Sequence, residues 1–266
     1  MAAEKVNVHL VVQYDGSGFH GFQKQAGVRT VQGELERGLG ELLGQGVELS
    51  ASSRTDAGVH AMGQSVSFRV ARGGLPPERI APAAARFLPE DILAVSSREA
   101  PPEFHARHSA TGKEYMYLCY RSAHTTLPVL RRNALRVPEK LDVGAMRKGA
   151  GHFAGTHDFS SFAGKDDAER DPVKTIFGFG VSEWRRFIVF RVRGSGFLYR
   201  MVRAMVGTLL EVGAGSRGAD GIPETLAARS RGAAGRTAGP EGLYLMRVFY
   251  EEPVSGEGLE GLENIF

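Results

Sequence analysis

The strongest constraint on the fold is the way β-like runs and single helical stripes alternate in both halves of the chain. In the first half, Val6 to Tyr14 reads as a strand, with Val6, Val8, Leu10, Val12 and Tyr14 alternating with Asn7, His9 and Gln13. The turn cluster Asp15-Gly16-Ser17-Gly18 follows. Thr30 is placed to cap a helix whose apolar stripe is Val31, Leu35, Leu39 and Leu42 or Leu43. Val47 to Thr55 and Gln64 to Val70 read as extended, and Pro76-Pro77 opens a helix carrying Ile80, Ala84 and Phe87. Asp91 to Ser96 is a short strand, and Ala100-Pro101-Pro102 reads as a linker.

The second half has the same character. Lys113 to Tyr120 is a strand, Leu141 to Phe153 a helix, and Thr175 to Glu183 with Phe187 to Arg193 a hairpin around Trp184-Arg185-Arg186. Phe197 to Val212 is a long helix with Leu198, Met201, Val202, Met205 and Leu209 facing inward. Ile222 to Arg229 is a shorter helix and Gly242 to Tyr250 a closing strand. Hairpins mixed with isolated helices favour an α+β fold with a mainly antiparallel sheet over regular βαβ winding. The expected division is an N-terminal lobe over 1–102, a C-terminal lobe over 103–252, and an acidic tail over 253–266.

Charge narrows the class of partner. The 266 residues carry a net charge of +3, but Glu251 to Phe266 holds five acidic and no basic residues. Residues 1–250 therefore hold 33 Lys and Arg against 25 Asp and Glu, a net of +8. An arginine-rich basic body suits a polyanion, although genome composition alone can produce it. The single cysteine, Cys119, excludes an intramolecular disulfide and a Cys-rich zinc site. No apolar run has the length of a membrane span. Met1-Ala2-Ala3-Glu4-Lys5 has no signal or transit layout, so a soluble cytoplasmic protein is expected.

Three segments carry chemistry. In Ser53-Arg54-Thr55-Asp56-Ala57-Gly58-Val59-His60, a strand running through Thr55 would project Arg54 and Asp56 to the same side. The arginine would keep the carboxylate ionised, and Ala57-Gly58 would leave it uncrowded, as a nucleophile requires. The same segment also reads as a turn aspartate capping local N–H groups. Phe104-His105-Ala106-Arg107-His108 leading to Tyr115 mixes cations and aromatics as RNA-contacting loops do, or Tyr115 is a core tyrosine with its hydroxyl at the surface. Gly194-Ser195-Gly196-Phe197-Leu198-Tyr199-Arg200-Met201-Val202-Arg203 frees the backbone at a helix start and places two arginines one turn apart. His105 with His108, and His152 with His157, have spacings compatible with co-ligation. No HExxH or Cys/His cluster joins them, so no metal is expected. No phosphate-binding Gly-rich loop and no nucleophile elbow is present.

Taken together, the pieces resemble the TruA family of tRNA pseudouridine synthases, from about Val8 to about Tyr250. The likeness rests on Tyr14-Asp15-Gly16-Ser17 with Gly21-Phe22-Gln23, then Arg54-Thr55-Asp56-Ala57-Gly58-Val59-His60, then Phe104-His105-Ala106-Arg107. It continues through His157-Asp158-Phe159-Ser160-Ser161-Phe162, Met201-Val202-Arg203 and Glu241-Gly242-Leu243-Tyr244-Leu245.

The resemblance implies a two-lobed α+β pseudouridine synthase fold, with a central, mostly antiparallel sheet flanked by helices and a basic cleft between the lobes. It implies isomerisation of uridine to pseudouridine in the tRNA anticodon stem-loop, at positions 38, 39 and 40, by a homodimer without cofactor or metal. Asp56 matches the family nucleophile, Tyr115 the tyrosine that packs on the target base, and Arg203 the basic partner of the aspartate. Arg54 matches the arginine implicated in everting the nucleotide, and Leu245 lines the pocket; His60 and Arg107 are also expected to contact substrate. Ser53, Phe22, Lys174, Tyr199, Arg200 and Ala204 depart from residues frequent in the family. Two other classes remain in view: a non-catalytic tRNA chaperone, and a carboxylate-dependent hydrolase acting on a small substrate.

Overall fold

The structure is a computed structural model that describes residues 4–123, 125–164 and 171–251. The acidic tail anticipated over 253–266 lies outside the described residues. The fold is mixed α+β, as expected, and the chain forms two units. One comprises the residues up to Ala110 together with Tyr244–Glu251, and the other Thr111–Leu243.

In the first unit the alternating valines and leucines of β1 (Lys5–Tyr14) are buried, as the period-two pattern requires. β1 lies between β3 (His60–Ala71) and β4 (Ile92–Ala100), antiparallel to both. β2 (Ser50–Ala51) adds to β3, and β10 (Leu243–Phe249) returns from the far end of the sequence to pair in parallel with it, Tyr244 opposite His60. The opposite face of β1 is covered as well. Asn7 donates both amide hydrogens, to the carbonyls of Pro101 and Phe104. His9 packs against the rings of Phe104 and Tyr250. The Pro101–Phe104 segment thus lies on the sheet.

Two helices flank these strands. α1 (Val31–Leu43) starts where Thr30 Oγ1 accepts the Gly33 N–H and stops at Gly44, whose φ of 62° suits glycine. Its buried stripe is Val31, Leu35 and Leu39. α2 (Pro77–Ala84) buries Ile80 and Ala84, and Phe87 lies beyond its end.

The second unit contains β5 (Gly112–Arg121), β9 (Phe187–Gly194), β8 (Val173–Trp184) and β7 (Gly155–Asp158), side by side and antiparallel. β6 (Leu135–Val137) adds in parallel at the end of β5. Three helices, α3 (Val143–Gly151), α4 (Met201–Gly213) and α5 (Ile222–Ala227), complete it. Gly149 lets α3 approach α4 closely, since a Cβ there would stand 3.0 Å from Leu209 Cδ2. The core is aromatic: Phe153 meets Phe162 edge-on at 5.1 Å and Phe179 at 5.8 Å.

Several expectations change. Extended structure over Val47 to Thr55 shrinks to Ser50–Ala51, so the strand does not run through Thr55 and strand alternation does not relate Arg54 to Asp56. The long helix begins at Met201 rather than Phe197, because Arg200 takes a left-handed conformation, φ 60°, that helix geometry excludes. The helix read from Leu141 to Phe153 runs from Val143 to Gly151, with Asp142 accepting from Ala145 N–H as its cap. The short strands β6 and β7 carry too few residues for alternation to reveal them.

Candidate active site

The segment carrying Asp56 is irregular backbone held at fixed points. Where the backbone leaves the β2–β3 ladder, the fully buried Gln64 side chain replaces the missing bonds. Its amide donates to the Ser53 carbonyl at 2.8 Å and accepts from Ser53 N–H at 3.3 Å. Thr55 is fixed twice: its hydroxyl pairs with Tyr14 Oη at 2.8 Å, and its carbonyl accepts the Phe22 N–H at 3.0 Å. The Asp56 carbonyl then accepts the Val59 N–H at 3.2 Å, closing a turn over Ala57-Gly58. Gly58 has φ 78°, as the third residue of a type II turn requires. The turn bond is made by the backbone carbonyl of Asp56. Asp56 itself is half-buried, and Arg54 and Ala57 are exposed.

A second loop, Asp15 to Phe22, packs against this turn. A Cβ on Gly16 would stand 2.0 Å from the Val59 carbonyl oxygen, and one on Gly21 (φ 92°) 2.9 Å from the Thr55 carbonyl oxygen. Only glycine permits that approach. Asp15 shapes its own loop by accepting both the N–H and the hydroxyl of Ser17. Arg29 clamps the base of the loop through a bidentate pair with Asp91, whose carbonyl accepts the Asp15 N–H.

His60 follows the turn and begins β3. Its ring is 2% exposed and stacks on Tyr244 at 4.6 Å. Nδ1 lies 3.2 Å from both Gly16 N and Asp15 Oδ1. An unprotonated Nδ1 accepts from Gly16; a protonated one pairs with Asp15. Leu245, opposite Ala61, is fully buried, while Arg107 is exposed on a loop whose neighbour Ala106 is tied to Ser67 and Tyr250. Asp56, Arg54, His60, Arg107 and Leu245 therefore all belong to the first unit.

Tyr115 and Arg203 belong to the second. Tyr115 sits on β5 opposite Val192, 6% exposed, with Phe197 edge-on at 5.1 Å. Arg203 is in the first turn of α4. It is latched to the segment near Ala238 in both directions: Nε donates to the Ala238 carbonyl at 2.8 Å, and its own carbonyl accepts the Ala238 N–H at 3.0 Å. Gly207 makes this crossing possible, because a Cβ there would overlap the Arg236 carbonyl oxygen at 1.7 Å.

The chain matches the family model described as tRNA pseudouridine synthase over residues 10–109 and 150–251. It is 44% identical over 244 residues to tRNA pseudouridine synthase A of Acetivibrio thermocellus, covering 92% of this chain and 99% of that one. It is 47% identical over 240 residues to tRNA pseudouridine synthase A of Halalkalibacterium halodurans, covering 89% of each. The chain belongs to the tRNA pseudouridine synthase family. The likeness drawn from six short motifs is thereby borne out, and the enzyme class is isomerase.

Membership of the family also frames residues that sequence reading passed over. Next to Tyr115, Glu114 is 2% exposed and receives Arg193 Nε at 2.6 Å and Arg191 Nε at 3.0 Å. Burial pushes the Glu114 carboxyl up, but the hydrogen bonds of the two guanidiniums outweigh it and hold the group below the ordinary carboxylate range. This ion cluster fixes β5 on β9 beside Tyr115. The available signal was the pair Arg191 and Arg193, two apart on one strand face. Among the described residues no group of three or more His, Cys, Asp or Glu is placed to hold a metal ion, and no helix is long and apolar enough to cross a membrane.

Proposed function

We propose that this chain isomerises uridine to pseudouridine at positions 38, 39 and 40 of the tRNA anticodon stem-loop, with Asp56 as nucleophile, acting as a cytoplasmic homodimer. The observation that carries the assignment of Asp56 is its setting. It occupies a turn whose backbone is fixed on either side by Thr55, Phe22, Val59 and Gly16, with a half-exposed side chain. A nucleophile held on a rigid backbone starts near its attack geometry, which lowers the entropic part of the barrier.

The reaction breaks the N1–C1′ bond of uridine and forms a C5–C1′ bond. C5 releases a proton and N1 gains one, so the product is an isomer and no redox partner is needed. The Asp56 carboxylate attacks ribose C1′ or uracil C6 and holds one fragment while the base turns. Arg203 is the basic partner of the nucleophile, as the family likeness implies. Extruding the target nucleotide costs a few kcal/mol in a paired stem. Arg54, exposed beside the nucleophile, takes the vacated space, and Tyr115 offers a stacking face and relays the C5 proton, its phenol oxygen taking that proton as its own hydroxyl proton passes to solvent. Arg107 completes the substrate contacts, while His60 acts through the loop it braces and Leu245, fully buried, supports the pocket wall from behind.

The test is tritium release from tRNA labelled at uridine C5. Wild-type protein releases tritium, and Asp56→Asn releases none while binding tRNA with near wild-type affinity. Measurable turnover by purified Asp56→Asn overturns the assignment.

A further inference from the structure

The hairpin tip joining β8 to β9 is not used by the chemistry above. Trp184 and Phe187 face each other across a two-residue turn, Arg185-Arg186. Trp184 is 50% exposed, the only tryptophan in the chain and among its most exposed large apolar side chains. Phe187 lies nearly parallel to the indole, 16° off at 6.2 Å, and the Arg185 guanidinium sits 4.9 Å from the indole centroid. Arg185 holds φ 52°, a conformation glycine adopts without strain. The turn nevertheless carries arginine there, which sets its guanidinium on the indole.

The charges at this tip are available. Arg185 and Arg186 are exposed and make no ion pair among the described residues. The third arginine, Arg121, is committed to Glu183 at 2.9 Å. Together with Ser122 and Glu139 the hairpin tip frames an open concavity of about 700 Å³. Arg136 donates to the carbonyl of Ser122, one of the concavity's lining residues. Along β5 and β9, the pair Tyr120–Phe187 is five residues from Tyr115–Val192. At the rise of a strand that is about 17 Å, so this surface is separate from the position of Tyr115.

We infer that this tip is a second RNA-contact surface, on which Trp184 with Arg185 stacks an unpaired base and Arg186 with Arg185 holds adjacent phosphates, of a part of the tRNA outside the target stem-loop. An aromatic platform beside free guanidiniums is the arrangement that binds a single-stranded stretch without reading its sequence. A second copy of this chain fits less well, because apposing two such tips would bring like charges together. The inference rests on the functional reading above in taking tRNA as the ligand.

The experiment compares full-length tRNA with the isolated anticodon stem-loop, measuring Kd by fluorescence anisotropy over a range of salt. Trp184→Ala weakens full-length tRNA binding about five- to fiftyfold. The pair Arg185→Gln and Arg186→Gln, in an exposed turn that tolerates substitution, makes the salt slope shallower by roughly 1.4 to 1.8. Neither change moves the stem-loop Kd by more than about twofold. The inference fails if full-length affinity and salt slope are unchanged, if both RNAs lose affinity equally, or if light scattering shows that the variants alter oligomeric mass instead. Pseudouridine formation by the wild type is scored in parallel. Its absence would defeat the functional reading alone, while the binding comparison still reports on the hairpin.

Discussion

Tyr14 Oη and Thr55 Oγ1 lie 2.8 Å apart, one residue from Asp56 and far apart in sequence. The pair ties the end of β1 to the turn that carries the carboxylate. Removing the phenol leaves a buried threonine hydroxyl short of a partner, at about 1 kcal/mol. Tyr14→Phe is expected to lower kcat about three- to tenfold with little change in KM, because ground-state binding is untouched while the carboxylate loses part of its support. Steady-state kinetics with a tRNA transcript checks this, and an unchanged kcat would show that the hydroxyl pair does not position Asp56.

Gly16 meets the carbonyl of Val59 with no room for a methyl group. Gly16→Ala must push the two loops apart, a strain of about 1–3 kcal/mol or more. The expected outcome is a loss of turnover of at least about a hundredfold, larger than the accompanying fall in Tm alone would produce. A fully active Gly16→Ala protein would mean that the loops separate without displacing Asp56.

Glu114 holds two arginines in a nearly dry setting. Glu114→Ala leaves both guanidiniums without their carboxylate and is expected to cost about 3–5 kcal/mol, read by denaturant unfolding. The pH dependence has a definite sign. Because the folded carboxyl titrates below its ordinary 4.5, the cluster contributes fully above that value and is lost as pH falls through the lowered pKa. The stability difference between wild type and Glu114→Gln, read from unfolding curves at successive pH values, should therefore narrow as pH falls below 4.5.

His9 titrates in the opposite sense from a salt-bridged histidine. Burial, reinforced by Arg98, lowers its pKa from 6.5 to about 4. Below 6.5 the unfolded chain takes up a proton that the folded one refuses, so stability falls with pH by roughly 1.4 kcal/mol per unit until about 4. His9→Gln, which can still hydrogen-bond Ser65, should flatten the curve in that window. An equally steep curve for the variant would place the acid sensitivity elsewhere.

The legible part of the molecule was carried by local pattern. Val6 to Tyr14, the Thr30 cap and the hairpin around Trp184-Arg185-Arg186, whose turn narrows to Arg185-Arg186, could be read because alternation, capping and turn chemistry act over a few residues. The segment from Arg54 to His60 was legible as a motif but not as a shape. Its expected strand is absent because Thr55 bonds to Tyr14 and Phe22 instead of to a neighbouring strand, and nothing near Thr55 in sequence announces that. Glu114 looked like an ordinary strand residue, since its partners Arg191 and Arg193 sit on another strand whose register depends on the folded sheet.

By itself, then, the sequence determined the α+β class, the order of the motifs and the family, all properties of short segments and their succession. Only the tertiary structure decided that Tyr244–Glu251 returns to lie with the N-terminal strands, stacking Tyr244 on His60. It also decided that two glycines, Gly16 and Gly21, are what allow the turn carrying Asp56 to be held from a second loop. The physical reason is range. Periodicity and capping are fixed by neighbours within a turn or two, whereas close packing is fixed by excluded volume between segments that meet only once the chain has folded.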